Sequence, residues 1–147
     1  MKNISYHMIS WSDLKSETFK IRCRIYNKNA FSNVKLLFDT GSTTTSIRKD
    51  FLQKIGIDTF IKGKNPIRTG NGIIYLNQCE ISKFIMGNIL FEGSKLINVF
   101  EVNKDDITYH GVIGMDFISK INTLISKDMN KIFISAYLEK LIESIKN

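Results

Sequence analysis

The sequence predicts an all-β domain, a barrel or sandwich in which helices play a minor part. Two observations carry this. Short apolar runs recur at close intervals, separated by glycine, Asn-Gly or polar clusters. Thr18 to Tyr26 alternates strictly, with Phe19, Ile21, Cys23 and Ile25 on one face and Lys20, Arg22 and Arg24 on the other. That period of two is the mark of a half-buried strand. A hydrophobic content of 43% against 24% charged residues fits a folded chain.

The remaining elements follow in order. Val34 to Phe38 reads as a second, more buried strand. Ser46 is placed to cap a short helix from about Arg48 to Ile55, in which Phe51, Leu52 and Ile55 share a face and Gly56 ends the run. Ile67 to Thr69 and Ile73 to Leu76 flank Gly70-Asn71-Gly72, a sequence suited to the positive φ angles of a tight, projecting hairpin. Strands are expected at Ile81 to Met86, Ile89 to Phe91 and Leu96 to Val102, the first two joined at Gly87-Asn88. Thr123 to Ser126 and Lys131 to Ser135 form a further pair. Leu138, Leu141, Ile142 and Ile145 recur at helical spacing, an amphipathic stripe expected to pack on its own domain. The chain thus divides into an N-terminal segment 1–17, a domain 18–135 and a C-terminal helix 136–147. Trp11 and Tyr6 to Ile9 fit a strand, an arm or an interface segment equally.

At 147 residues the chain suits one domain with its own core. No apolar stretch reaches membrane-spanning length, and the N-terminus leads into no apolar signal core, so a cytoplasmic protein without a membrane partner is expected. Cys23 and Cys79 are too few for a disulfide framework and too scattered for zinc, and read as buried thiols. His7 and His110 lack metal-ligand spacing, and no metal is expected. The net charge of +7 permits an acidic partner. Lys and Arg are spread along the chain without a dense basic block, so nucleic acid is not the expected partner.

The informative segment is Leu36-Leu37-Phe38-Asp39-Thr40-Gly41-Ser42-Thr43-Thr44-Thr45-Ser46-Ile47. An acid directly after an apolar strand needs a task or a partner. Thr40 and Gly41 suit a tight turn, glycine admitting close backbone approach. The Ser42 hydroxyl is placed to bond a carboxylate and favour its ionised form. Asp-Thr-Gly alone is a weak pattern. Its apolar and hydroxyl flanks strengthen it, as does a second segment, Gly111-Val112-Ile113-Gly114-Met115-Asp116-Phe117-Ile118. The plain alternative for Asp39 is a turn aspartate bonding nearby amides. For Asp116 the helix-cap reading is preferred to a catalytic one.

The two segments together resemble the retropepsin-like aspartic peptidases, retroviral in type, with bacterial and other cellular members; the resemblance spans roughly 18–135. It implies a single-lobe acid-protease barrel. It implies Asp39 as the catalytic aspartate, Thr40 as the threonine that locks two subunits' loops, and Gly41 and Ser42 as the rest of the loop. Ile113 and Gly114 match the motif packed behind the turn, Asp116 a structural position, and Gly70, Asn71 and Gly72 the flap over the substrate cleft. Thr43 and Thr44 stand where viral members commonly carry acids that bind substrate backbone. The helical C-terminus also departs from the terminal strands through which viral members dimerise.

Acid/base hydrolysis of a peptide needs one carboxylate to deprotonate water while a second, protonated, polarises the carbonyl. Two close carboxylates share a proton and titrate as a pair. Asp-Thr-Gly occurs once, and the chain is too short for two lobes. A homodimer that apposes two copies of Asp39 on a peptide or protein substrate, with no cofactor, is therefore expected. The competing expectations are an inactive dimerisation or protein-binding module on the same fold and, more weakly, a nucleic-acid accessory protein.

Overall fold

The computed structural model describes residues 7–10, 19–63, 66–69, 72–101, 110–126, 128 and 131–146. Strand β1 (His7–Ser10) comes first, so of the readings open for the N-terminal stretch the strand is observed at 7–10. Trp11 lies outside the described residues, as do Gly70 and Asn71.

The alternating segment forms β2 (Lys20–Asn27), with Ile21, Cys23 and Ile25 buried and Lys20 and Arg22 exposed. Lys28 and Asn29 turn the chain into β3 (Ala30–Phe38), which begins four residues earlier than the apolar run suggests. Lys28 takes a φ of 56°, in the region glycine usually occupies, and its amide is held by the Ser82 hydroxyl at 2.9 Å.

The next segment departs from expectation. Ser46 does not cap a helix. It opens β4 (Ser46–Arg48), and the helix α1 starts only at Lys49 and ends at Gln53, without a side-chain cap. Hydroxyl-rich sequence looks like a cap when read locally, but β4 is claimed by two neighbouring strands, and pairing outweighs a capping bond of about 1 kcal/mol. Phe51, Leu52 and Ile55 do share a buried face, and Gly56 follows with φ of 82°.

Then come β5 (Ile61–Lys62), β6 (Ile67–Thr69) and β7 (Gly72–Ile74). β6 and β7 form their own two-stranded sheet in which Thr69 faces Gly72, so Gly72 belongs to the strand rather than the turn. Its root is pinned by Gly63, whose N–H donates to the Leu76 carbonyl at 3.0 Å. A side chain at 63 would collide with that carbonyl. β8 (Asn77–Ile81) and β9 (Lys83–Met86) occupy the span expected as one strand. They split at Ser82, whose hydroxyl and amide are both bonded to the β2 edge at the Tyr26 carbonyl. β10 (Ile89–Phe91) and β11 (Lys95–Phe100) follow.

The last third contains β12 (Gly111–Ile113), α2 (Met115–Ile118), β13 (Asn122–Ser126), β14 (Lys131–Ser135) and α3 (Leu138–Lys146). The main sheet runs β10-β9-β2-β3-β12-β4-β11-β8-β5 among the described residues; a second runs β1-β14-β13. Buried side chains of both sheets, α1 and α2 join one apolar cluster around Ile25, Leu36, Ile47, Phe84, Ile113 and Ile134. Burying each such side chain contributes about 1.5–3 kcal/mol. Phe117 anchors α2 there, its ring 4.5 Å from that of Phe84 and 5.2 Å, edge-on, from that of Phe91. On α3, Leu141 is buried while Leu138 and Ile142 are exposed, so the stripe packs on its own domain along only part of its width. No helix among the described residues is long and apolar enough to cross a membrane.

His110 joins β12 to β3: its Nδ1 accepts the Lys35 N–H at 2.9 Å, and its ring lies 4.2 Å from that of Phe51. Burial lowers its pKa below the ordinary histidine value, as does Arg48; Asp50 opposes this, and Lys20 and Lys35 add to the lowering. The folded state therefore favours neutral His110. The stability this contributes is complete above the unfolded-state pKa of about 6.5 and is lost as pH falls through the folded value. Urea unfolding of the parent should show stability rising with pH in that window, by no more than about 1.4 kcal/mol per pH unit. His110→Asn should flatten that slope; an unchanged slope would show that the histidine is not its source.

Candidate active site

The chain order around Asp39 creates the site. β3 ends at Phe38 and β4 begins at Ser46, yet the two strands are not neighbours. β12 lies between them, parallel to β3 (Val112 opposite Leu37, Ile113 opposite Phe38) and antiparallel to β4 (Val112 opposite Ser46). Residues 39–45 must therefore arch over the end of β12. Asp39 enters the arch with its N–H donated to the Ile113 carbonyl at 3.1 Å.

Within the arch, the Asp39 carbonyl accepts the Ser42 N–H at 3.2 Å and Oδ1 accepts the Gly41 N–H at 2.8 Å. The side chain thus closes its own turn, as aspartates at such positions do. A Cβ at Gly41 would stand 3.1 Å from Oδ1. Asp39 is half-buried, and among the described residues Oδ2 accepts no hydrogen bond. Thr40 is exposed at the tip.

The Ser42 hydroxyl does not serve the Asp39 carboxylate, contrary to expectation. It donates to the Thr44 carbonyl at 2.8 Å and so braces the far side of the arch. Its proton is committed there, because a strained arch has carbonyls that need donors. Ser42→Ala should accordingly cost about 1 kcal/mol of stability and leave the acid limb of any pH–rate profile in place. A displaced limb would restore the carboxylate contact.

The second motif backs the arch. Met115 N–H donates to the Ser42 carbonyl at 2.8 Å, and Asp116 N–H to the Thr43 carbonyl at 3.2 Å. Gly114 is buried, and a Cβ there would lie 2.6 Å from the Thr44 oxygen and 2.9 Å from that of Ser42, which explains the glycine sterically. Ile113 is fully buried behind the turn. Asp116 is not the N-cap of α2; Gly114 holds that position. The Asp116 carboxylate reaches across instead. Oδ2 accepts the Thr45 N–H at 2.9 Å, while Oδ1 accepts the Thr45 hydroxyl at 2.7 Å and the Phe117 N–H at 3.0 Å. Thr45 Oγ1 in turn accepts the Gly114 N–H at 3.0 Å.

Residues 25–120 match the family described as "gag-polyprotein putative aspartyl protease". The chain belongs to that family. A solved retropepsin-like aspartic protease from Rickettsia conorii is similar in fold, with a TM-score of 0.62 at 18% identity, over 89% of this chain and 99% of that one. No curated protein matches by sequence. The fold is thus the all-β, single-lobe, retropepsin-like one.

In this gag-type aspartyl protease lobe, Asp39, Thr40, Gly41, Ser42, Ile113 and Gly114 come together at one end of β3 and β12. The hairpin carrying Gly72 is a separate sheet. Ile73 and Tyr75 on it are exposed, at 58% and 54%. Three partners escape a reading by motif: Thr45, Asn98 and Gln78. Asn98 is buried on β11, donates to Thr44 Oγ1 at 2.8 Å and accepts from Gln78 Nε2 at 3.1 Å. The available signal was Asn98 itself, a polar residue inside Leu96-Ile97-Asn98-Val99, since a buried amide requires partners. Among the described residues no group of three or more His, Cys, Asp or Glu is placed to hold a metal ion.

Proposed function

We propose that the chain is an aspartic endopeptidase active as a homodimer, in which one Asp39 from each copy faces the other across a two-fold axis. The observation that carries this reading is Asp39 itself. Its carboxylate is held by one oxygen within its own turn, its second oxygen is uncommitted among the described residues, and Asp-Thr-Gly occurs once per chain. The exposed Thr40 is the side chain proposed to interlock the two loops.

The chemistry follows from a shared proton. The ionised carboxylate takes a proton from water as the water oxygen attacks the scissile carbonyl carbon. The protonated partner gives its proton to the carbonyl oxygen, producing a tetrahedral diol. The carboxyl that gained the water proton then passes it to the amide nitrogen, and the C–N bond breaks. One diol hydroxyl returns its proton to the other carboxylate as the carbonyl re-forms, leaving an acid, an amine and the original pair. Protein cofactors play no part in this scheme. Gly70 to Gly72, with the apolar Ile73 and Tyr75 nearby, is the proposed flap over the peptide. Thr43 and Thr44 present hydroxyls on the loop, Thr44 being committed to Asn98, so backbone recognition here rests on neutral groups.

The test is cleavage of a diverse peptide library from acidic to neutral pH, with the oligomeric state followed by sedimentation. Cleavage tracking the dimer is the expected result. A stable dimer that cuts nothing at any pH would assign the fold to a protein-binding module instead.

A further inference from the structure

A groove of about 850 Å³ lies on the outer face of β2, β3 and β9, and the peptidase reading makes no use of it. Its polar lining is Arg22, Arg24, Asn33, Lys35, Asn88 and His110, with no aspartate or glutamate. The sequence pattern explains the composition. β2 and β3 turn Ile21, Cys23, Ile25, Val34 and Leu36 inward, so alternate residues of both strands must face out. In the register, Arg22 stands directly opposite Lys35 and Arg24 opposite Asn33.

Like charges directly opposed on paired strands are destabilising, and neither member is relieved within the described chain. The ion pairs among the described residues are Arg48–Asp50, Lys49–Glu101 and Lys140–Glu143, none of them in the groove. Arg24, by contrast, is already positioned: Nε donates to Asn33 Oδ1 at 3.0 Å, and the guanidinium sits 4.4 Å from the Phe31 ring centroid. His110 spends Nδ1 on the Lys35 amide, so its neutral ring carries the proton on Nε2 as a donor. A local rule broken without internal compensation marks a surface shaped for an outside partner.

We propose that this groove is a binding site for an acidic polypeptide segment in extended form, its alternate carboxylates seated on Arg22, Arg24 and Lys35. Residues two apart on a strand are about 6.6 Å apart, which is also the spacing of side chains on one face of an extended peptide. Guanidinium groups match carboxylates in geometry as well as charge. Bases of a nucleic acid would need open aromatic faces. None lines the groove, and the two flanking rings already carry cations, Arg24 over Phe31 and Lys83 over Tyr26. Lys35 precedes Asp39 by four residues on one strand, about 13 Å, close enough for a substrate to span both. That role as a substrate exosite rests on the peptidase reading; the binding itself does not.

The experiment uses the full chain carrying Asp39→Asn, so that no probe is cut. Fluorescence anisotropy at low ionic strength follows a labelled peptide of alternating glutamate and serine, its glutamine counterpart, and an oligothymidylate of similar length. The glutamate peptide should bind, more weakly as salt rises. Adding Arg22→Gln with Lys35→Gln should weaken it about tenfold, with thermal unfolding at or above that of the parent. Equal binding of the glutamine peptide, or no loss in the substituted protein, would overturn the proposal. Tighter binding of the oligothymidylate through the same two residues would overturn it in favour of nucleic acid. Cleavage is not read in any arm, so failure of the peptidase reading would leave the result standing.

Discussion

Replacing Asp39 by asparagine is expected to lower kcat/KM on any cleaved peptide by at least about 10³-fold, since the variant loses both the base and the shared proton, each worth 10² or more. The Gly41 N–H that now bonds Oδ1 at 2.8 Å retains an acceptor in the amide oxygen, so the arch should survive and the loss should be chemical. Mixing parent and variant chains separates a dimeric site from a monomeric one. If both carboxylates are required and subunits exchange freely, an equimolar mixture retains about a quarter of the parent's activity, the share of parent–parent pairs. Independent subunits would retain half. A variant as active as the parent would remove Asp39 from the chemistry altogether.

Thr45→Val should produce the largest stability loss of any isosteric change in the arch, about 2–4 kcal/mol. Thr45 is fully buried. Valine keeps its shape but removes the donor to Asp116 Oδ1 and the acceptor for the Gly114 N–H. Each orphaned buried group costs about 1–3 kcal/mol, more where a carboxylate is involved. Thr43 is exposed on the same loop, and Thr43→Val should stay within about 0.5 kcal/mol of the parent. Urea unfolding of the two variants makes the comparison, and equal midpoints would mean that the Thr45–Asp116 contact does not hold the loop.

The β2 alternation, the Asp39 turn, the strand pair β13–β14 and the amphipathic α3 were legible because each rests on local periodicity or turn chemistry. Ser46 misled because a hydroxyl ahead of an apolar stretch satisfies the local rule for a cap, while β4 exists only by pairing with β11 and β12, more than fifty residues downstream. The start of β3 was missed because Lys28 carries a positive φ without the glycine that would have announced it. Asp116 was correctly set apart from catalysis but given the wrong structural task. Its partner Thr45 is 71 residues away, and no periodicity reports a contact of that kind. Ser42 was misassigned for the same reason in miniature, since its hydroxyl had two acceptors within reach and only the folded arch decides between them.

The insertion of β12 between β3 and β4 also has a temporal meaning. A nascent chain that has emerged only as far as residue 101 already contains the acid. It lacks the Ile113 carbonyl that receives the acid's amide, and the Met115 and Asp116 amides that grip the following residues. Ligation of sequence-distant strands is a slow, late event in folding. The reactive turn is consequently among the last parts of the molecule to be assembled, so synthesis of the final third sets the moment at which the carboxylate acquires its working geometry.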